Sequence, residues 1–520
     1  MASELPPQQQ TYTWRQMIGL GLGAVLFVVF LLMPEPGGMS PQAKRAAAVA
    51  VLMATWWISE ALPIPAVALL PLLLYPALRV MDAKAAAAPY ADHNIYLFMG
   101  GFFIAMAMQK WGLHRRIALH VIGLLGTSPR RLILGFMIAT AAISMWISDT
   151  ATAMMMTPIA LAVIYYAFGE RPAAEVIASR DRREVNFATA LMLLVAHASV
   201  IGGIATLVGT PPNLVFKGQV QSLFPQAPEV AFSQWMLVGL PVAVALLPLS
   251  WLWVTVVALP IGLRSLPGSR QVIRDQLREM GTMSRGEKVV LAVFVCTVLA
   301  WLTRANVELG AVTVPGWAPA LGVEKYVTDS TVAIAAGLLL FALPVDWRRN
   351  EFALDWEWAR RLPWGILILF GGGFSLAASF RETGLSEWIG LRLAGIGTLP
   401  PLGIVFATCV LLTFLTEITS NTATATVMMP VLAALATAMG VHPFLLMMPA
   451  AMSCSCAFML PVATPPNAIV FGSGYVDIPH MAKAGVGLNM IGAVVITAAI
   501  YFIAVPVFGI SPTVLPEWVQ

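Results

Sequence analysis

Apolar runs long enough to cross a bilayer recur along this chain, at Met17–Met33, Met236–Leu259, Val289–Leu302 with its flanks, and Val486–Phe508. About 20 apolar residues span the hydrocarbon as a helix, so each run predicts a membrane helix. Two pairs of runs are shorter. Ile133–Ile147 leads through Ser148-Asp149-Thr150 to Ala151–Ala167, and Leu402–Ile418 leads through Ser420-Asn421-Thr422 to Ala423–Ala438. Short helices meeting at a polar tip predict a re-entrant hairpin, which is tolerated at membrane depth only where protein or a cavity covers it.

The polar interruptions are duplicated. Ile147-Ser148-Asp149-Thr150-Ala151-Thr152-Ala153 returns as Thr419-Ser420-Asn421-Thr422-Ala423-Thr424-Ala425, and Gly209-Thr210-Pro211-Pro212-Asn213 as Ala463-Thr464-Pro465-Pro466-Asn467. Leu97-Phe98-Met99-Gly100-Gly101-Phe102 aligns with Leu369-Phe370-Gly371-Gly372-Gly373-Phe374 at an offset of 272, which also relates Ser148 to Ser420. Between Pro211 and Pro465 the offset falls to 254, with charged Glu170–Glu184 the obvious insertion. Small-residue helix packing accounts for one such phrase. Two copies at matching places in two halves point instead to a transporter's substrate site.

Charge sets the expected orientation. Lys and Arg gather in Lys110–Arg131, Arg171–Arg183, Arg264–Lys288 and Arg348–Arg361, which positive-inside logic places in the cytoplasm, outvoting Lys44-Arg45 outside. The first phrase is flanked by such residues. The flanks Gly395–Pro401 and Met439–Pro443 of the second have none, Arg392 being the nearby exception. The two hairpins therefore enter from opposite sides, an inverted-topology repeat. The expected organisation is a polar tail at 1–15, a first repeat at 16–262 with its inner hairpin at about 132–167, a basic linker at 263–288, and a second repeat at 289–510 with its outer hairpin at about 402–438.

Composition agrees, since 59% of the 520 residues are hydrophobic and 11% charged. A water-facing surface needs roughly 25% charged residues, so this is an all-α polytopic membrane protein with its N-terminus in the cytoplasm. A net charge of +4 is small and says nothing about nucleic acid, and no nucleic-acid partner is expected of such a membrane chain. The four cysteines lie in apolar stretches and indicate neither disulfides nor a zinc site.

Ser, Asp, Asn and Thr cap helix N-termini. At each tip they start the outgoing helix and leave backbone N–H groups for an anion without any basic residue. Incoming helices end at the same tips, offering carbonyls to a cation. Paired prolines break helices, so Gly202-Gly203 through Asn213 and Pro461 through Asn467 are expected to be unwound, their carbonyls completing oxygen cages for sodium.

Ser455-Cys456-Ala457-Phe458-Met459-Leu460-Pro461-Val462-Ala463-Thr464-Pro465-Pro466-Asn467-Ala468-Ile469-Val470-Phe471, the doubled tips, and Trp57-Ile58-Ser59-Glu60-Ala61-Leu62-Pro63 closely resemble the divalent anion–sodium symporter family. The resemblance runs from about Trp56 to Phe508 and implies about 11 spans with discontinuous helices, two re-entrant hairpins, a homodimer and elevator-type movement. Substrates in such a family are di- and tricarboxylates (succinate, malate, fumarate, citrate) or sulfate, usually driven by Na+; some members exchange anions. By position, one sodium site would use Ser144, Ser148, Asp149 and Gly202, and the other Thr416, Thr419, Asn421 and Ala463. The anion would meet Ser148, Asp149, Thr150, Ser420, Asn421, Thr422, Thr464 and Pro465, the prolines shaping the backbone.

Asp149 departs from the family's Asn. Three readings stand: a charged, sodium-binding Asp149; a protonated Asp149 acting as donor in proton-linked transport; or a tip that disfavours dianions. His197 is a possible partner for Asp149 or a packing residue, and Glu417 and Glu60 are possible proton carriers or structural groups. Rival functions are an ion antiporter or oxyanion exporter, and an intramembrane protease. No second intramembrane Asp motif and no Ser/His or Ser/Lys pairing around Ser148 supports the protease.

Overall fold

The computed structural model describes residues 12–126, 128–169, 173–177, 181–263, 265–266, 269–309, 312–393 and 400–519. Parts of the Glu170–Glu184 insertion, of the basic linker and of the Gly395–Pro401 flank lie outside these residues. Two helices open the chain, α1 (Trp14–Leu32), started by a Thr13 capping box, and α2 (Pro41–Ser59), capped by Ser40. Glu60 is the left-handed C-cap of α2, where its backbone ends the helix.

The same succession then occurs twice. In the first half α3 (His93–Lys110) and α4 (Leu113–Leu125) precede a helical pair, α5 (Pro129–Ser144) and α6 (Asp149–Phe168). A helix split in two follows, α7 (Arg182–Ile204) and α8 (Pro211–Leu223), and then α9 (Phe232–Leu252). The connection to the second half contains α10 (Ser269–Met280), α11 (Arg285–Leu302), a short antiparallel hairpin of β1 (Val307–Leu309) and β2 (Val312–Val314), and α12 (Asp329–Ala342). A second hairpin, β3 (Pro344–Asp346) with β4 (Glu351–Phe352), leads out of α12.

In the second half α13 (Trp364–Thr383) and α14 (Leu385–Leu393) precede the pair α15 (Pro401–Thr416) and α16 (Asn421–Ala438). The split helix is α17 (Phe444–Ser455) and α18 (Pro465–Gly472), followed by α19 (Ile478–Ala499). Gly100 and Gly372, equivalent at the 272 offset, both mark close helix approach. A Cβ on Gly100 would lie 2.4 Å from the Ala333 carbonyl carbon, and one on Gly372 2.4 Å from the Ala68 oxygen.

Seven described helices are long and apolar enough to cross a membrane by length and composition, and four shorter apolar ones accompany them. The outgoing arms α6 and α16, with 20 and 18 residues, are among the seven, so they exceed the roughly 16 residues expected from the sequence. Their incoming partners have 16 each. The apolar window of α7 is wholly buried, whereas α1 exposes Val25, Val28, Val29 and Leu32. This layering, apolar inside and outside, is what a lipid-facing bundle requires.

Among the described residues, three of the basic gaps, Lys110–Arg131, Arg264–Lys288 and Arg348–Arg361, are joined by ion pairs. Arg116 Nε bonds Glu287 at 2.6 Å, and Lys110 bonds Asp355 at 2.8 Å. Asn186 donates to the Pro260 carbonyl at 3.0 Å, and Arg130 to that of Ile261 at 3.3 Å. Burial opposes charge on Asp355, but the Lys110 and Trp358 hydrogen bonds outweigh it and hold the carboxyl below its ordinary range.

Candidate functional site

Each helical pair turns through three residues and restarts at a serine. Ser148 is the N-cap of α6, its Oγ accepting from Ala151 N at 3.4 Å; Ser420 is the N-cap of α16 and makes no side-chain capping bond. Ser148, Asp149, Thr150, Ser420, Asn421 and Thr422 are all half-buried, although the helices behind them are largely buried. The polar tips are therefore partly accessible rather than sealed in the core.

The tips differ internally. At the first, Asp149 Oδ1 accepts from Thr150 N at 2.6 Å and Thr150 Oγ1 at 3.2 Å, so the carboxylate already uses one amide of the helix N-terminus. At the second, Asn421 Oδ1 accepts from Thr416 Oγ1 at 2.6 Å, and its Nδ2 makes no hydrogen bond among the described residues. Thr419 Oγ1 pairs with Thr424 Oγ1 at 2.6 Å. The equivalent of Thr419 is Ile147, which leaves Thr152 Oγ1, the equivalent of Thr424, buried without a partner.

Each pair is tied to the split helix of its own half. Ser144 Oγ donates to Ser199 O at 2.5 Å, and the corresponding Thr416 Oγ1 lies 3.0 Å from Cys454 O. Gly202 abuts α5, where a Cβ would fall 2.4 Å from Ala141 O. Ser144 and Gly202 thus both meet the α5–α7 contact, while Ser148 and Asp149 have no hydrogen bond to Gly202 among the described residues; Thr416 and Asn421 are hydrogen-bonded to each other. Ala463, Thr464 and Pro465 have no hydrogen bond to the second tip among the described residues. They lead into α18, which packs against α6 of the first half, as α8 packs against α16 of the second.

The Pro-Pro-Asn motifs correct the sequence expectation. The unwound stretches are Ala205–Thr210 and Cys456–Thr464, while Gly202 and Gly203 remain helical and both proline pairs open the next helix. Proline at the first helical position loses only an N–H that has no partner anyway, and its φ is already helical. The prolines therefore set where the second half-helix starts.

Glu417 resolves as a structural group. Its carboxylate accepts from Phe458 N at 2.7 Å, Met459 N at 3.0 Å, Leu460 N at 3.1 Å and Asn489 Nδ2 at 2.7 Å. It fastens the unwound stretch to the hairpin. Its counterpart is Met145, whose carbonyl accepts from Thr206 Oγ1 at 2.5 Å. His197 is fully buried and packs edge-on to Phe458 with ring centroids 5.0 Å apart.

Sequence reasoning missed a buried charge cluster. Lys217 on α8 bonds Glu229 at 3.0 Å and Asp329 at 3.2 Å, while Arg304 bonds Asp329 at 2.6 Å and Glu229 at 3.3 Å. These residues are far apart in sequence, and no motif marks them. It also missed Arg15, which donates to the Ile418 carbonyl beside the second tip at 2.8 Å.

The donors around both tips are hydroxyl, amide, carboxylate and carbonyl oxygens, the set a hard cation prefers. Orphaned buried oxygens occur in each half, Thr152 Oγ1 and Asn213 Oδ1 in one, Ser453 Oγ and Asn467 Oδ1 in the other. No cluster of His, Cys, Asp or Glu suited to a transition metal occurs among the described residues. Paired helices with polar N-caps and split helices, twice over in a lipid-facing bundle, define a secondary transporter rather than an enzyme.

The chain belongs to the family described as the sodium:sulfate symporter transmembrane region, which it matches over residues 14–509. It is 44% identical over 509 residues to the sodium-dependent dicarboxylate transporter SdcS of Staphylococcus saprophyticus, covering 97% of this chain and 95% of that relative. It is 42% identical over 505 residues to SdcS of Staphylococcus aureus, covering 97% and 94%. Two solved structures share the fold. Neisseria gonorrhoeae MtrF, from a class of antimetabolite efflux pumps, has a TM-score of 0.58 at 11% identity, covering 94% of this chain and 96% of that one. The Alcanivorax borkumensis YdaH transporter has a TM-score of 0.53 at 14% identity, covering 94% and 97%.

Proposed function

We propose that this protein carries dicarboxylate anions such as succinate, malate or fumarate across a bacterial inner membrane, coupled to Na+ at two sites. The observation that carries the reading is the pair of half-buried N-caps at Ser148 and Ser420, which offer an anion two helix N-termini and hydroxyls without a basic side chain. The relatives at 42–44% identity are named sodium-dependent dicarboxylate transporters, which supports the substrate class and the cation.

Sodium, as co-transported cargo, would be held by Ser144, Ser148, Asp149 and the backbone near Gly202, and by Thr416, Thr419 and Asn421 with carbonyls of the second unwound stretch. Only Oδ1 of Asp149 is engaged by protein donors, which favours the reading of Asp149 as a cation ligand. The mutual packing of α6 with α18 and of α8 with α16 supports an inverted repeat whose hairpins and split helices move together as an elevator. The three joined basic gaps support a cytoplasmic placement of their end.

The test is uptake of labelled succinate into proteoliposomes under imposed sodium or proton gradients, with malate, citrate and sulfate as competitors. Sodium-driven uptake inhibited by malate is expected. Uptake driven by protons alone, or competed only by sulfate, overturns the reading. Light scattering on the purified protein should give the mass of a homodimer.

A further inference from the structure

Asn213 and Asn467 occupy the same place in the two halves, the third residue of α8 and of α18, and both are fully buried. Asn213 turns its amide nitrogen onto the C-terminal end of α7 and the unwound stretch after it, and Asn467 turns its own onto the unwound stretch before α18. Asn213 Nδ2 donates to the carbonyls of Thr206 at 2.7 Å, Gly203 at 3.1 Å and Ile204 at 3.4 Å. Asn467 Nδ2 donates to those of Ala457 and Leu460, both at 3.0 Å. An atom ringed by carbonyl oxygens must be the nitrogen, so the amide orientation is unambiguous. In both residues Oδ1 is buried and accepts from no protein donor among the described residues. The same one-sided arrangement, made independently in each half, shows that the nitrogen side alone fixes these amides.

The consequence lies in the carbonyls. Backbone oxygens of an unwound stretch coordinate a cation only if they are held in place, because three or more must converge on it at once. The amide takes some of these oxygens and thereby fixes the peptide planes that carry the others. We infer that Asn213 and Asn467 are positioning residues for cation coupling, each setting the carbonyl geometry of one unwound stretch, with the unpaired Oδ1 as a further acceptor for water or the cation itself. The inference rests on the sodium-coupled reading above.

Asn213→Ala and Asn467→Ala, purified in full length, are compared with wild type in two measurements. One is the sodium concentration giving half-maximal succinate uptake; the other is the thermal shift on adding sodium alone. Removing a residue that orients ligands typically weakens metal binding 10–100-fold, so each variant should need about tenfold more sodium. Its succinate KM at saturating sodium should stay within about threefold, since the tips themselves are untouched. A fall in maximal rate with sodium dependence unchanged overturns the inference and leaves a purely structural asparagine. If alanine yields no monodisperse protein, serine, which keeps one donor, replaces it; a serine variant with wild-type sodium dependence overturns the inference equally. Wild type that responds to sodium in neither measurement overturns the sodium-coupled reading and this inference together, which distinguishes the two failures.

Discussion

The two hairpins carry nearly the same phrase but place their acid differently. In the first, the carboxylate is Asp149, half-buried on the tip and bonded to its neighbour Thr150. In the second, the tip has neutral Asn421, and the carboxylate is Glu417, buried and saturated by three backbone amides and Asn489. An acid with all its donors supplied by protein acts as a fastener. One with an oxygen to spare at a half-buried tip is free to meet a ligand. Duplication supplied one scaffold, and the placement of a single carboxylate made its halves chemically unlike.

The comparison can be broken most forcefully at Glu417. Glu417→Ala strands one buried and two half-buried N–H groups and the buried Asn489 amide, and should cost about 3–5 kcal/mol, read as loss of monodisperse protein in detergent. Met145→Leu at the equivalent position should cost less than about 1.5 kcal/mol. Equal losses would show that the unwound stretches are not held differently.

The next largest effects concern charge at the tips. Asn421→Asp places a second carboxylate near the anion; at about 6 Å and an effective dielectric near 20, repulsion is roughly 3 kcal/mol, about 100-fold in apparent succinate affinity. Asp149→Asn removes a charge already offset by the helix N-terminus, so succinate affinity should rise only about tenfold while the sodium requirement increases. Uptake assays across sodium concentrations measure both. Unchanged affinity in both variants means that the tips do not share the anion.

A smaller difference separates the caps. Ser148→Ala removes a capping bond and should lower thermal stability by about 1 kcal/mol, whereas Ser420→Ala, with no such bond to lose, should cost a few tenths. Both should weaken uptake.

A last effect lies outside the tips and is spread over pH. Burial holds the His442 imidazole down to about 4, in the turn after the second hairpin, where it packs against Phe444 and Trp518. The unfolded chain, titrating near 6.5, binds more protons below that value, so this stabilisation is complete above about pH 6.5 and is lost as pH falls towards 4. Thermal melts should fall over that window in wild type and less in His442→Phe.

Much of this architecture was legible before folding. Ser148 and Ser420 are readable as caps because hydroxyl side chains compete for local N–H groups whatever surrounds them. The split helices were legible from paired prolines, but their limits were not. Proline starts a helix as readily as it ends one, and only the traced backbone shows that Pro211 and Pro465 do the former. Glu417 looked the same as any intramembrane acid until Phe458, Met459 and Leu460 were found aimed at it.

By itself the sequence determined the membrane class, the duplication, the two polar tips and the anomaly at Asp149. These follow from composition, spacing and local backbone preference, which act within a few residues. Tertiary structure alone decided that Glu417 is spent on backbone amides and that α18 and α8 each pack against the other half's hairpin. It alone joined Lys217, Glu229, Arg304 and Asp329 into one buried cluster and turned Asn213 and Asn467 onto the unwound carbonyls. Each of these depends on groups that lie within hydrogen-bond reach only after the chain has folded, and such pairing leaves no periodic trace along the sequence.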